Sequence, residues 1–238
     1  MAGDEHKPRS PIGGLKAFSC RNCGGQVKLR VPGQTLVAAF QHCGAVIDLT
    51  DENLRIIQEA QAKKRYKPGI PLGTRGTLAD KEWEVVGFMV RKASGYQYYW
   101  EEYLLYNPWY GFTWLMNSYG HWSFVVPMMD LPELNGGPTK AKYNGRRYQK
   151  FTSGGAEVVF VLGEFYWQIK VGDSSRVLDL INPPHMLSLE MDEFGKNWSQ
   201  SMYMEPEEVK KAFNLQGNMP IKLRVGANQP NHHRRKFW

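Results

Sequence analysis

The chain has 238 residues, of which 42% are hydrophobic and 13% aromatic, and its formal net charge is +7. This length is enough for one or two modest cores, and the aromatic content favours strands. No apolar run approaches the ~18–20 residues that a membrane span needs, and residues 1–11 lack the apolar segment of a signal peptide. The sequence therefore predicts a globular protein without a transmembrane span. Three cysteines confined to residues 20–43 suit a reducing cytoplasm.

The positive charge is concentrated in three segments that contain no acidic residue. Four Lys or Arg residues lie in residues 63–67, five in 139–150 and five in 221–238. Such segments can bind a nucleic acid, an acidic protein or, peripherally, an anionic membrane surface. They can equally be solvated linkers and a loose tail, and the sequence leaves these alternatives open.

In chain order, residues 1–17 are predicted to be flexible and residues 18–49 to form a zinc-ribbon-like hairpin. Cys20 and Cys23 precede Gly24 in a Cys-x-x-Cys-Gly knuckle, and Cys43 begins a second knuckle in which Phe40 replaces the expected first ligand. Three interpretations remain. Zinc is held by the three cysteines and a substitute such as His42 or His6; or Phe40 packs where the metal would lie; or Cys20 and Cys23 form a redox pair.

Residues 50–67 are predicted to form a linking helix, capped by Thr50-Asp51, running from about Asn53 to Tyr66 and ended by Pro68. Residues 70–128 then read as a first β-unit. Its apolar and aromatic runs, broken by Gly, Asn and Pro, predict strands at Trp83–Arg91, Tyr96–Tyr106, Gly111–Met116 and His121–Val126.

Residues 145–204 read as a second β-unit that repeats the first. Asn107-Pro108 aligns with Asn182-Pro183, and further alignments are Met116 with Met191, Trp122-Ser123 with Trp198-Ser199, and residues 85–87 with 161–163. These identities predict an internal duplication whose two units bury apolar faces together. Residues 129–144, which contain Pro132 and Pro138, are predicted to be a loop.

Residues 205–215 are predicted to form a short helix, because Pro206 suits a first helical turn. Its apolar residues Val209, Ala212 and Phe213 should dock on the second β-unit. Residues 216–238 form a basic tail ending in aromatic residues. The predicted fold is therefore mainly β: a small N-terminal zinc-ribbon-like hairpin, a linking helix, then a duplicated antiparallel β-domain with a short C-terminal helix.

The order of several short motifs resembles a bacterial family known as domain of unknown function 4178. The motifs are Cys-x-x-Cys-Gly, Cys-Gly, Leu72-Gly73, Trp100-Glu101-Glu102-Tyr103-Leu104-Leu105, Gly120-His121-Trp122, Gly163-Glu164-Phe165 and Pro183-Pro184, and the resemblance covers roughly residues 18–215. It implies an N-terminal zinc-ribbon-like segment, a β-rich domain and a cytoplasmic accessory protein, in gene neighbourhoods linked to membrane stress and polyamine synthesis. It implies no established reaction, and Phe40 departs from the family's second thiolate pair.

Glu101, Glu164 and His121 are the candidate catalytic residues. Strand alternation places Glu101 and Tyr103 on one face and Glu102 on the other. A carboxylate buried among aromatic side chains has a raised pKa and can act as a general acid, and pairing of the two units could bring Glu101 or Glu102 towards Glu164. The same acids can instead fix a β-register by hydrogen bonding. Fingerprints of serine hydrolases, phosphate-binding loops and dinucleotide sites are absent from the sequence.

The sequence thus favours a non-catalytic adaptor that binds a protein partner through its aromatic β-module and basic tail. One alternative is a nucleic-acid-binding protein, and another is an enzyme or binding protein for a small cationic ligand that uses Glu101 and Glu164. The candidate binding residues are Trp100, Glu101, Trp122, Glu164, Trp198, Arg234, Arg235 and Trp238. The oligomeric state and the identity of the partner do not follow from the sequence.

Overall fold

The computed structural model describes residues 11–59, 66–135, 137–193 and 195–230. These residues form a mainly β structure with one short helix. The strands are β1 Ala17–Ser19, β2 Gln26–Lys28, β3 Val37–Ala39, β4 Val46–Asp48, β5 Ile56–Gln58, β6 Arg75–Leu78, β7 Lys81–Ala93, β8 Tyr99–Asn107, β9 Gly111–Ser118, β10 His121–Pro127, β11 Glu133–Leu134, β12 Lys140–Tyr143, β13 Arg146–Phe165, β14 Ser174–Asn182, β15 His185–Asp192 and β16 Gly195–Met204, and the helix is α1 Pro206–Ala212.

The predicted zinc-ribbon-like segment contains two short hairpins. β1 and β2 form a separate two-stranded sheet. β3 and β4 form the second hairpin, and β3 pairs antiparallel with the end of β13, where Phe165 lies opposite Val37. The second hairpin is therefore continuous with the main sheet, and its apolar residues pack on the same core as β7 and β13.

The predicted linking helix is wrong over its described part, residues 53–59. β5 lies there and pairs with β4, so that Ile56 is opposite Ile47. The Asp51 carboxylate accepts a hydrogen bond from the Asn53 backbone N–H at 2.8 Å, and Leu54 has a φ of 51°. This local turn, followed by two β-branched residues, competes successfully with the helix cap that the sequence suggested. Residues 60–65 of the predicted helix lie outside the described residues, and Tyr66, its predicted last residue, is not helical.

Eight of the strands close into an antiparallel barrel. The order around it is β7-β8-β9-β10-β16-β15-β14-β13, and β13 pairs again with β7. The four predicted strands of the first unit correspond to β7, β8, β9 and β10, so the reading of alternating apolar residues between turn signals is confirmed for this unit.

The duplication is visible in the order of the strands. Each unit opens with a short strand joined to a long one, β6 to β7 and β12 to β13, through a two-residue turn. Both central residues have positive φ in each turn, Ala79-Asp80 in one and Asn144-Gly145 in the other. Positive φ at both positions is the type I′ geometry that matches strand twist. Three further antiparallel strands follow in each unit, so β6–β10 and β12–β16 share one topology.

Parts of the sequence alignment need correction. The Asn107 and Asn182 turns are equivalent, since each ends the third strand of its unit. However, the type I′ turns align Lys81 with Arg146, whereas residues 85–87 and 161–163 are neighbours on paired strands, with Gly87 opposite Gly163. The second unit therefore begins at β12, inside the predicted loop 129–144, where Ala141 is buried and pairs with Tyr148.

The C-terminal helix is confirmed, but it packs on the first unit and not on the second. Val209 and Phe213 join the core of Leu78, Trp83 and Phe88. A Cβ atom at Gly76 would lie 2.7 Å from the Ala212 carbonyl oxygen, so the glycine permits this close approach. Because β16 pairs with β10, the chain leaves the barrel beside the first unit, where β6 and β10 receive the helix.

Among the described residues, no helix is long and apolar enough to cross a membrane.

Candidate functional site

The three cysteines converge. Their Sγ atoms all lie within 4.8 Å of one another, and those of Cys20 and Cys43 are 3.6 Å apart. Cys20 and Cys43 are buried, whereas Cys23 is exposed. Thiolates at this separation can hold a metal ion, because sulfur ligands at ~2.3 Å from one ion lie ~4 Å apart.

Phe40 occupies the position in its knuckle that Cys20 occupies in the other. The Cys20 N–H donates to the Gly25 carbonyl at 2.8 Å, and the Phe40 N–H donates to the Ala45 carbonyl at 2.8 Å. The glycines at the fifth positions, Gly24 and Gly44, have φ values of 73° and 75°. Two knuckles are therefore folded alike, and a benzyl group stands where the second one would present its first thiolate.

Of the two predicted substitute ligands, His42 does not join the cysteines, and His6 lies outside the described residues. The His42 side chain is exposed, and its ring centroid lies 6.2 Å from that of Phe40. Among the described residues, the metal-ligating group consists of Cys20, Cys23 and Cys43. Burial raises the pKa of the Cys20 thiol. Burial acts in the same direction on Cys43, but hydrogen bonds from the Asn22 side chain and the Ala45 backbone outweigh it and lower the pKa of that thiol.

The predicted carboxylates Glu101 and Glu164 are not brought together. They lie on β8 and β13, the two strands that flank β7, and they are displaced along it. Glu101 is opposite Val90, whereas Gly163, the residue before Glu164, is opposite Gly87. Glu101 accepts hydrogen bonds from Tyr103 at 3.0 Å and from Asn117 at 2.9 Å.

Glu164 joins the N-terminal segment to the barrel. Its carboxylate accepts hydrogen bonds from the backbone N–H groups of Arg30 at 2.6 Å and Val31 at 3.0 Å, and from the Thr35 hydroxyl at 2.8 Å. Burial raises the pKa of Glu164, and these three donors oppose that effect. The Glu164 carboxylate is therefore occupied by hydrogen bonds that connect the N-terminal segment to the barrel.

His121 and two of the predicted binding tryptophans are also part of the packing. His121 is buried, with Nδ1 3.0 Å from the Tyr203 hydroxyl and Nε2 3.2 Å from the Leu223 carbonyl oxygen. Trp122 is in the core with Tyr103, and Trp198 packs beside Leu187. Arg234, Arg235 and Trp238 lie outside the described residues.

A different set of polar side chains lies where the two repeats meet. We name Arg91, Glu102, Ser175, Asp179 and Glu190 the inter-repeat cluster. Arg91 Nη2 lies 2.6 Å from Glu190 and donates to the Ser175 hydroxyl at 2.5 Å, and Arg91 Nη1 lies 3.6 Å from Glu102. Arg91 and Glu102 come from the first repeat, and the other three come from the second. The cluster therefore exists only when both repeats are in place.

The cluster contains three carboxylates and one guanidinium. Burial raises the pKa of Glu102. Burial also raises the pKa of Asp179, to about 6, and the charge of Glu190 adds to this effect, although the Ser188 hydroxyl opposes it. For Glu190 the Arg91 guanidinium outweighs burial and holds the pKa below its usual value. Water reaches the cluster from one side, because 38% of the Glu190 side chain is exposed while Arg91 retains 6%.

Aromatic side chains border the cluster. The Trp100 Nε1–H donates to Glu102 at 2.6 Å, and the Arg91 guanidinium lies 5.7 Å from the Trp100 ring. Burial raises the pKa of Tyr166 and the charge of Glu190 contributes to it, which places this ring near the cluster. Tyr166 belongs to an aromatic wall whose rings pack at centroid separations of 4.3–5.3 Å, consisting of Phe112, Trp114, Tyr166 and Trp167.

Sequence reasoning found one member of this cluster and missed four. The alternation that separates Glu102 from Glu101 and Tyr103 is confirmed, since Glu101 bonds Tyr103 whereas Glu102 meets Arg91. The available signal for Arg91 was a basic residue at the end of the apolar run 85–90. Its partners Ser175 and Glu190 depend on barrel closure, which no local pattern specifies.

The fold and these contacts define a class of protein: a closed antiparallel barrel of two fused repeats, with a cysteine-bearing hairpin module attached to it. The chain belongs to the family described as Domain of unknown function (DUF4178), whose model matches residues 71–206. This match covers the barrel and begins after the cysteine module, residues 18–49. Comparison with curated proteins and with solved structures found no match to either.

Proposed function

We propose that the protein is a non-catalytic cytoplasmic accessory protein that binds a small cationic ligand at the inter-repeat cluster. The observation that supports this most directly is the excess of carboxylates around Arg91. Burial of a carboxylate is costly, and the raised pKa of Asp179 reflects a cost that the nearby charge of Arg91 offsets only in part. An ammonium or guanidinium group beside Asp179 and Glu190 would relieve it.

A second observation points to an incomplete set of contacts in the same place. Arg91 is 5% exposed, and its Nε–H has no hydrogen-bond partner in the described structure. Buried donors are rarely left unsatisfied unless water or a ligand reaches them. A cation bound to the carboxylates, with water beside it to accept from the Arg91 Nε–H, would satisfy both groups.

The aromatic surroundings suit a cation. Trp100 lies against Arg91, and the aromatic wall reaches the cluster through Tyr166. Aromatic faces attract cations within about 6 Å of the ring centre, with energies of about 0.5–2 kcal/mol. The binding of an organic cation would therefore be stabilised by both the carboxylates and the aromatic rings.

Calorimetric titration tests this function. The ligands are 1,4-diaminobutane and tetramethylammonium, with the uncharged 1,4-butanediol as the matched control. We expect the cations to bind at pH 7.5 and Glu190→Gln to weaken binding at least tenfold. Glu101→Gln is the control variant, because Glu101 lies on the opposite face of β8, and it should bind as the wild type does. Equal affinity in Glu190→Gln, or binding of the diol, would exclude the cluster as the site.

The cytoplasmic location rests on the thiols. All three cysteines lie in the cysteine module, and the Sγ atoms of Cys20 and Cys43 are 3.6 Å apart. Buried thiols this close persist as thiols in a reducing compartment.

A second candidate role, as an adaptor for an acidic protein partner, is favoured by the β12–β13 hairpin. Lys142 lies directly opposite Arg147, and Lys140 shares their exposed face; Glu133 on β11, 3.9 Å from Lys142, offsets one of these three positive charges. Like charges directly opposite on a strand pair repel each other, so an anionic partner would stabilise the hairpin. An N-terminally tagged pull-down with nuclease should recover a protein that is lost in Lys142→Glu/Arg147→Glu and retained in Lys210→Glu. Recovery that disappears with nuclease would assign the hairpin to nucleic acid instead.

A further inference from the structure

We infer that Cys20, Cys23 and Cys43 form a three-coordinate thiolate site that takes a soft monovalent metal ion, Cu(I), in preference to Zn(II). This inference is independent of the proposed ligand site in the barrel. The cysteine module has the backbone of two metal-binding knuckles, but Phe40 stands where the second knuckle would present its first cysteine.

The module retains the backbone of a metal-binding pair of knuckles. The two turns repeat the same hydrogen bonds: the Gly24 N–H donates to the Cys20 carbonyl at 2.7 Å, and the Gly44 N–H donates to the Phe40 carbonyl at 2.8 Å. Three Sγ atoms within 4.8 Å of one another need to approach by less than about 1 Å to reach the spacing set by metal–sulfur bonds. The ligands are thus preorganised.

Within the part of the chain that the structure describes, the cysteine group offers three ligands and not the four of a structural zinc site. Phe40 has no donor atom, and no His, Asp or Glu of the described residues belongs to the cysteine group. Structural zinc sites are almost always four-coordinate and tetrahedral. The residues present therefore do not fit the zinc ion that a ribbon implies.

The Phe40 ring lies beside the sulfur atoms. A Cβ atom placed on Gly25 would be 2.9 Å from Phe40 Cε1 and 3.5 Å from Cys23 Sγ, so the ring and this thiol border the same small space. The ring presents an apolar edge there, where a fourth ligand or water would otherwise complete a tetrahedron. The packing thereby favours a planar, three-coordinate ion.

The donor set and the access route select the ion. Three thiolates without oxygen or nitrogen ligands are soft donors, and soft donors favour Cu(I). Cys20 is 1% exposed, while Cys23 is exposed, so an ion would enter at Cys23 and reach the two buried sulfurs. A soft ion bound to three sulfurs needs no fourth protein ligand.

The test compares wild type with Phe40→Cys and Phe40→Leu, in reduced, metal-free protein. Cu(I) and Zn(II) are titrated separately against chromophoric chelators, and X-ray absorption gives the number of sulfur neighbours. We expect the wild type to bind one Cu(I) ion with three sulfur neighbours. The ratio of its Cu(I) affinity to its Zn(II) affinity should exceed the same ratio in Phe40→Cys by at least 100-fold. Phe40→Cys should gain zinc affinity and a four-sulfur shell, whereas Phe40→Leu, which adds no ligand, should gain neither.

Cys23→Ser removes one ligand in a variant that should fold normally, because the Cys23 side chain is exposed. Circular dichroism should be unchanged in this variant while Cu(I) affinity falls at least tenfold. The inference is overturned if wild type binds zinc with four protein ligands as tightly as Phe40→Cys does. It is equally overturned if the reduced wild type binds neither ion, which would make the module a metal-free packing unit.

Discussion

At the scale of single residues, Asp179 is held in an unusual state. Its pKa in the folded protein is about 6 because of burial and the nearby charge of Glu190, whereas an unfolded chain keeps it at its usual value. The folded state therefore binds the proton more tightly. The resulting stabilisation is complete below the unfolded pKa of about 4, and it is lost as pH rises through about 6.

Asp179→Asn should remove this pH dependence. A shift of one pKa unit corresponds to about 1.4 kcal/mol, so the wild type should lose on the order of 2 kcal/mol of unfolding free energy between pH 4.5 and 7.5. The variant should lose less and be more stable than wild type at pH 7.5. Urea unfolding followed by Trp fluorescence measures this, with the exposed Asp130→Asn as control. A variant whose pH profile matches wild type would contradict the account of Asp179.

Arg91 holds the opposing carboxylates together. Arg91→Met should destabilise the protein by roughly 2–4 kcal/mol, because Glu102 and Glu190 would lose their buried positive partner. Adding Glu190→Gln should recover part of that loss. A double-mutant cycle by urea unfolding gives the coupling energy, and strictly additive effects would show that Arg91 contributes through packing alone.

At the scale of elements, the sequence predicted the strands of the first unit well and the linking helix wrongly. Gly, Asn and Pro mark the ends of β7 to β10, and their apolar alternation gives a strong local signal. The helix failed because the Asp51 side chain stabilises a turn at Asn53, and β5 then gains a partner in β4. Local periodicity in the sequence does not indicate which strand β5 pairs with.

Some features of the candidate sites could be predicted from the sequence, and others depend on how the barrel closes. The cysteine group follows from spacing, and the distinct environments of Glu101 and Glu102 follow from alternation. The meeting of Arg91 with Glu190 requires the pairing of β13 with both β7 and β14. Sequence reasoning paired Glu101 with Glu164 because it had no register for that closure.

Glu164 contributes to the connection between the cysteine module and the barrel, in addition to the pairing of β3 with β13. Glu164→Ala should leave the backbone N–H groups of Arg30 and Val31 without their acceptor, at a cost of about 2 kcal/mol. Amide hydrogen exchange should accelerate at Arg30, Val31 and β3, while the amides of β9 and β10 keep their protection. Glu82→Ala, at an exposed position, is the control, and uniform acceleration across the chain would contradict a local connection.

At the scale of the whole molecule, duplication builds a site that neither repeat contains. The core under α1 contains residues of both repeats, such as Phe88 of the first and Phe160 of the second, whereas a smaller cluster around Leu180 and Leu187 belongs to the second repeat. The charged cluster lies where the repeats join, and β10–β16 and β7–β13 are the two seams that align it. The proposed ligand would therefore contact side chains of both halves, as ligands between packed units commonly do.

The most direct test of the central claim is an NMR titration of the tryptophan indole N–H signals with 1,4-diaminobutane at pH 7.5. We predict saturable shifts for Trp100, which donates to Glu102, and for Trp114, which lies opposite Leu104 on the Glu102 face of the sheet. We predict no shifts for Trp83 and Trp122, which lie in the core on the other face. Glu190→Gln should abolish the shifts. Unchanged Trp100 and Trp114 signals at saturating diamine, or shifts that persist in Glu190→Gln, would contradict the claim that the inter-repeat cluster binds a cation.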